Sequence, residues 1–281
     1  MKAFESHWQN QEGIAFHLRG WAPETGTKAV VALVHGFGEH TGRYANVAQA
    51  LTRAGYALIG FDLRGHGQSG GPRGHAPSYE VLMDDIAAFL RQIRPRYPRL
   101  PVFLYGHSLG GNLVLNFALR RKAKLRGVIA SSPWLRVAFE PPAWKVALAR
   151  VTDRLAPGFS QAAGLESAAL SHDARVVAAY DSDPLVHDRI SVRLFLAARA
   201  SGLWALEHAA GLRHSLLLMH GTADRDTSCE ASRLFAQRAG KRATWRAWSG
   251  WYHELHNEPG QARVFAAMIK WMDSVRRHRP A

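Results

Sequence analysis

Apolar residues in this chain fall into short dense runs separated by longer stretches of helical period. Residues 29–35, 56–61, 102–105, 125–131, 216–220 and 244–248 concentrate apolar side chains over strand length, and residues 14–20 do so ahead of a Pro23-Glu24-Thr25-Gly26 turn. Several of these runs are continuous instead of alternating, the mark of strands covered on both faces. Between them, residues 43–54, 78–93, 113 onward, 203–210, 230–239 and 261–275 repeat apolar positions at helical spacing. Strands alternating with helices define an α/β class with a mostly parallel central sheet flanked by helices.

The alternation stops from Trp134 to about Ala200. That segment carries Phe139, Pro141-Pro142, Trp144, Leu155, Pro157-Gly158 and Phe159 and has helical period, so it reads as a helical cap inserted into the sheet. The expected division is a core of residues 1–133 and 201–281 and a cap of residues 134–200.

With 281 residues, 47% of them apolar, the chain can bury a large core as one sheet domain with its insertion. The net charge of +14 raises the question of an anionic partner. Its arginines are spread along the chain and not gathered with exposed aromatics, so nucleic acid is not the expected partner; weak peripheral contact with an anionic membrane fits better. Arg276-Arg277-His278-Arg279 reads as a solvated tail after the last helix. The polar start MKAFESHWQN lacks an apolar leader, and no apolar run reaches the roughly 18 residues of a spanning helix. These features suggest a cytoplasmic protein. Cys229, the one cysteine, allows neither an internal disulfide nor a cysteine-based metal cluster.

The candidate chemistry begins at Gly106-His107-Ser108-Leu109-Gly110, where a strand runs through a G-x-S-x-G turn into a helix. Two glycines let the backbone turn sharply enough to hold a serine hydroxyl above a sheet, which makes Ser108 the candidate nucleophile. The glycine-bearing loop His35-Gly36-Phe37-Gly38-Glu39-His40 follows an earlier strand. The N–H groups of Phe37 and Leu109 are the expected oxyanion hole. Asp224 lies just past the 216–220 strand, and the loop 251–258 past the 244–248 strand carries His253. A serine hydroxyl needs an imidazole to take its proton, and the imidazole an acid to fix its tautomer, so Ser108, His253 and Asp224 form the expected triad. His256 remains a rival base and Asp226 a rival acid. No metal is expected, because His253-Glu254-Leu255-His256 is one residue short of H-E-x-x-H spacing. No cofactor is expected, and Asp62 and His66 are read as loop-holding residues without a chemical step.

Taken together, HGFGEHTGRY (35–44), FDLRGHGQS (61–69), GHSLGG (106–111), YDSDPL (180–185), HGTAD (220–224) and YHELHNE (252–258) resemble the monoacylglycerol lipase and lysophospholipase group of the α/β-hydrolase superfamily, which includes serine aminopeptidase S33-like hydrolases. The resemblance spans residues 14–274 and matches the cap only at its C-terminal end. It implies an α/β-hydrolase fold, the same triad and oxyanion hole, and a polar pocket for the alcohol end of the substrate near Glu39, Arg43, His107, Tyr180 and His256. Glu39 and Arg43 could equally be a structural ion pair. Phe37 departs from the small residue usual in that group. The expected activity is hydrolysis of a small lipid ester, monoacylglycerol-like, through an acyl-enzyme. A lysophospholipase, a broad short-chain esterase and a non-catalytic ligand receptor are the alternatives; a peptidase would need an acidic site for the substrate amine, which the sequence does not identify.

Overall fold

The computed structural model describes residues 1–277. Among the described residues, ten strands run in chain order as β1 (Lys2–Gln9), β2 (Ala15–Ala22), β3 (Ala29–Val34), β4 (Tyr56–Phe61), β5 (Val102–His107), β6 (Gly127–Ser131), β7 (Ser160–Ala162), β8 (Arg189–Ser191), β9 (Leu216–Gly221) and β10 (Ala243–Trp248). The helices are α1 (Ala45–Arg53), α2 (Tyr79–Ile93), α3 (Leu109–Arg120), α4 (Ala143–Leu155), α5 (Ala174–Asp181), α6 (Val192–His208), α7 (Cys229–Ala239) and α8 (Ala262–Arg277). Eight strands make one sheet in the order β1-β2-β4-β3-β5-β6-β9-β10. From β4 to β10 every neighbouring pair is parallel, while β1 and β2 add an antiparallel edge.

Side chains of successive strand residues point to opposite faces, and the core divides accordingly. On β5, Val102 and Leu104 join one apolar cluster with α2, α3, α6 and α7, while Phe103 and Tyr105 join a second with α1 and α8. Coverage on both faces is why these strands carry unbroken apolar runs.

Two elements escaped the sequence pattern. β1 is an edge strand whose side chains are mostly exposed, so it lacks an apolar alternation; it is held by Trp8 stacking on Phe16 at 4.9 Å. Between β6 and β9 the chain is not purely helical: β7 and β8 pair as an antiparallel ribbon beside α4 and α5. The helix expected at 203–210 starts much earlier, because Ser191 caps α6 by accepting from Leu194 N–H, and residue 200 falls inside this one helix. Its Leu194, Ala198, Ala205 and Leu206 pack in the sheet's core. Arg276 and Arg277 belong to the last turn of α8 instead of following it, and His278 and Arg279 lie outside the described residues. Among the described residues no helix is long and apolar enough to cross a membrane.

Candidate active site

Ser108, Asp224 and His253 sit where parallel strands end at their C-terminal edge, the place where an open α/β sheet leaves a crevice, while Tyr180 comes from α5 in the insertion. Ser108 follows β5 directly and begins the turn into α3 with φ 52° and ψ −116°. A left-handed φ costs a non-glycine residue energy, and here the surroundings impose it. Ser108 N–H donates to Ser131 O at 3.0 Å, and its carbonyl accepts from Asn112 N–H at 2.9 Å and Trp134 N–H at 3.0 Å. The flanking glycines are required by space: a Cβ on Gly106 would lie 2.2 Å from Gly110 O, and one on Gly110 would lie 2.0 Å from Val34 O. The elbow is therefore pressed against both β3 and its own helix.

Asp224 lies beyond β9 and is wholly committed. Its Oδ2 accepts from His253 Nδ1 at 2.7 Å and from Thr227 Oγ1 at 2.9 Å and lies 3.0 Å from His220 Nε2, while Oδ1 accepts from the N–H groups of Asp226 and Thr227. Burial alone would push this carboxyl up, but His253 and His220 hold it well below its usual range. For His253 burial opposes the charged ring, yet Asp224 and then Asp226 and Glu254 outweigh it and raise the ring to about 9. Of the two rival acids, then, Asp224 bonds the imidazole. The backbone of His253 itself is tied by Ser132, whose hydroxyl donates to His253 O at 2.8 Å. Ser132 and Ser108 are the two non-glycine residues with left-handed φ among the described residues, and the sequence pattern singled out only one.

Ser108 and His253 line one cavity with Phe37, Glu39, His107, Tyr180, Asp226 and Glu254. Leu109, the first residue of α3, stands beside Ser108. Phe37 is buried between two imidazoles, edge-on to His66 and His187 at 5.6 Å each, so its bulk ties the β3 loop to the insertion. Asp62 fixes the neighbouring loops by accepting from Thr41 N–H and Gln68 N–H at 2.9 Å each.

Arg43 stands behind the cavity wall. It forms an ion pair with Glu39 at 3.1 Å and lies under the Tyr180 ring, 4.7 Å from its centroid. The sequence had no place for its stronger partner, Glu254, which takes both terminal nitrogens. One cation thus serves two buried carboxylates. Burial pushes both up; Arg43 holds Glu254 well below its usual range, and Glu39 stays raised. The adjacency of Glu254 to His253 in HELH was the available signal. His256 departs further from expectation: fully buried, it does not line the cavity but stacks on Tyr44 at 4.7 Å and meets His107 edge-on at 4.9 Å. Burial lowers it to about 4, a neutral packing ring away from Asp224.

The sheet, the serine elbow and the imidazole–carboxylate pair on later strand ends define an α/β-hydrolase. The family model described as "Serine aminopeptidase, S33" matches residues 25–260, and the chain belongs to this family of serine hydrolases. It is 35% identical over 256 residues to a protein of Mycolicibacterium smegmatis named monoacylglycerol lipase, covering 90% of this chain and 91% of that one. It is 31% identical over 271 residues to the monoglyceride lipase of Homo sapiens, covering 95% and 89%. The crystal structure of Paleococcus ferrophilus monoacylglycerol lipase superposes with a TM-score of 0.84 at 35% identity, covering 98% of this chain and all of that one.

Proposed function

We propose that this protein is a cofactor-independent carboxylic ester hydrolase acting on monoacylglycerol-like lipids. In this reading Ser108 Oγ attacks the ester carbonyl while His253 takes its proton, and the N–H groups of Phe37 and Leu109 hold the developing oxyanion. His253 then protonates the departing alcohol, and a water activated by the same imidazole releases the fatty acid from Ser108. Asp224 fixes the ring so that its other nitrogen faces the cavity.

The observation that carries the substrate class is the polarity of the cavity. Trp134, Val137, Leu165, Leu170, Ile190 and Phe195 make one set of walls apolar, suited to an acyl chain, and Glu39, His107, Tyr180 and Glu254 supply polar groups for an alcohol. Arg43, the cation nearest those carboxylates, is already engaged by both. A neutral glycerol end therefore fits better than the phosphate of a lysophospholipid, which would meet buried negative charge. The relatives named as monoacylglycerol lipases support the same class.

The insertion of residues 134–200 is read as the lid over this cavity, and the enzyme as a cytoplasmic one that touches membranes. Specific support for contact comes from α4, where Trp144, Leu148, Val151 and Leu155 recur at i, i+4, i+7 and i+11 and are 62%, 58%, 53% and 82% exposed. Exposed Lys145, Arg150 and Arg154 lie on the same helix, the pattern of a helix resting on anionic lipid. Leu165, partly exposed, lines the cavity.

The test is kcat/KM on 1-monoacylglycerols of graded chain length beside lysophosphatidylcholine and short p-nitrophenyl esters. A maximum on medium or long monoacylglycerols is expected; activity confined to short activated esters would discard the lipid substrate.

A further inference from the structure

Asp226 shares a loop with Asp224, and the structure leaves it in an unusual position. Its carboxylate lines the cavity, and Oδ2 is buried with no hydrogen-bond partner among the described residues. Asp224, Asp226 and His253 each bring one side-chain atom within 4.8 Å of the others. The backbone pins the residue there, since its N–H donates to Asp224 Oδ1 at 2.8 Å and its carbonyl accepts from Ala138 N–H at 3.0 Å. A carboxylate oxygen buried without a partner is costly, so an effect on a neighbour is the physical question it poses.

We propose that Asp226 is a positioning residue of the hydrolytic site, a second carboxylate that strengthens His253 as a base through space while Asp224 holds the ring by hydrogen bonding. The proposal rests on the assignment of His253 as the base. A negative charge within a few ångströms stabilises the imidazolium that forms as Ser108 attacks, and in a buried site water screens it weakly.

The groups facing His253 make the prediction specific. Asp224, Asp226 and Arg225 come from the β9 loop, and His220, within β9, lies against Asp224. His107, from β5, lies with its ring 4.8 Å from His253; burial and the neighbouring imidazoles hold it well below the ordinary histidine value. Glu254 and His256 come from the histidine's own loop, with Arg43 neutralising Glu254 from the other side. Burial, and the nearby carboxylates, push Asp226 up from its usual value, against His253. Of the carboxylates around His253, Asp224 is saturated and Glu254 is paired with a cation, which leaves Asp226 as the one whose charge acts on the imidazole without a partner among the described residues.

The experiment is the pH dependence of kcat/KM on a soluble p-nitrophenyl ester from about pH 5.5 to 10, for the wild type, Asp226→Asn, Asp226→Ser and Ser108→Ala. His253 must be neutral to act, so the wild-type rate rises with pH through its value. Removing the Asp226 charge lowers the proton affinity of His253. The acid limb of both Asp226 variants should therefore move down by about one pH unit, with the alkaline plateau reduced a few-fold and KM unchanged. A merely structural role would lower the plateau and leave the limb in place. An unmoved limb in both variants overturns the proposal. So does a loss confined to KM for cationic esters, which would make Asp226 a substrate contact. If Ser108→Ala retains the wild-type activity, the hydrolytic assignment fails as well; if that variant is inactive and the limb unmoved, the role of Asp226 alone is lost.

Discussion

Arg43 and Glu254, 211 positions apart, meet in a buried bidentate pair, with Nη1 to Oε1 at 2.5 Å and Nη2 to Oε2 at 2.8 Å. Glu39 accepts from the same guanidinium at 3.1 Å, and Glu39 Oε1 takes the Tyr44 hydroxyl at 2.6 Å and Gly36 N–H at 2.5 Å. The pair thus ties the β3 loop to the histidine loop and sets the spacing of the walls between which Ser108 lies.

Replacing Arg43 with Met would leave two carboxylates buried without their cation. Removing one partner of a buried, hydrogen-bonded pair costs about 3–5 kcal/mol, so urea unfolding at neutral pH should show a loss of that size. The sign with pH follows from Glu254, whose carboxyl Arg43 holds below its ordinary value despite burial. In the wild type its contribution is present above the ordinary carboxylate value and is lost as pH falls through the depressed one. The variant should instead gain relative stability on acidification, because protonation removes the uncompensated charge. A loss below about 1 kcal/mol would contradict the buried-pair account.

Asp224→Asn keeps the shape of the loop but presents an amide to His253 Nδ1 and favours the wrong tautomer. kcat on a soluble ester should fall on the order of 10³ to 10⁴, against a few-fold at most on the alkaline plateau for Asp226→Asn. Equal losses at both positions would mean that the two carboxylates share the hydrogen-bonding task.

The exposed stripe of α4 is the lipid contact we propose. Leu148→Asp with Leu155→Asp should reduce sedimentation with phosphatidylglycerol vesicles by about ten-fold or more, leaving phosphatidylcholine binding weak in both proteins. Turnover of a soluble short ester should stay within about two-fold, since neither residue lines the cavity. Unchanged vesicle binding would remove α4 as the contact.

Local chemistry explains how much of this could be read in advance. The elbow was legible because Gly106 and Gly110 are fixed by contacts within a few residues and with the adjacent strand, and the order of Ser108, Asp224 and His253 follows from strands with strong apolar runs. β1 and the β7–β8 ribbon were not legible, since edge and surface strands need no apolar pattern. Glu254 and Ser132 were hidden for another reason. Their significance lies in partners far apart in sequence, as the Ser132 hydroxyl on His253 O, 121 positions away, makes plain. His256 was placed at the alcohol end by resemblance; its ring nitrogens have no hydrogen-bond partner among the described residues, and its aromatic stack on Tyr44 could not be inferred from spacing.

We propose Ser108 as the nucleophile of a lipid ester hydrolase. Purified Ser108→Ala, verified as folded by circular dichroism, should lose at least about 10³-fold in kcat/KM on the best monoacylglycerol, and the wild type alone should form a covalent adduct at Ser108 with an alkyl fluorophosphonate, seen by intact mass and peptide mapping. Retention of more than a few per cent of the activity, or an adduct on another residue, would contradict it.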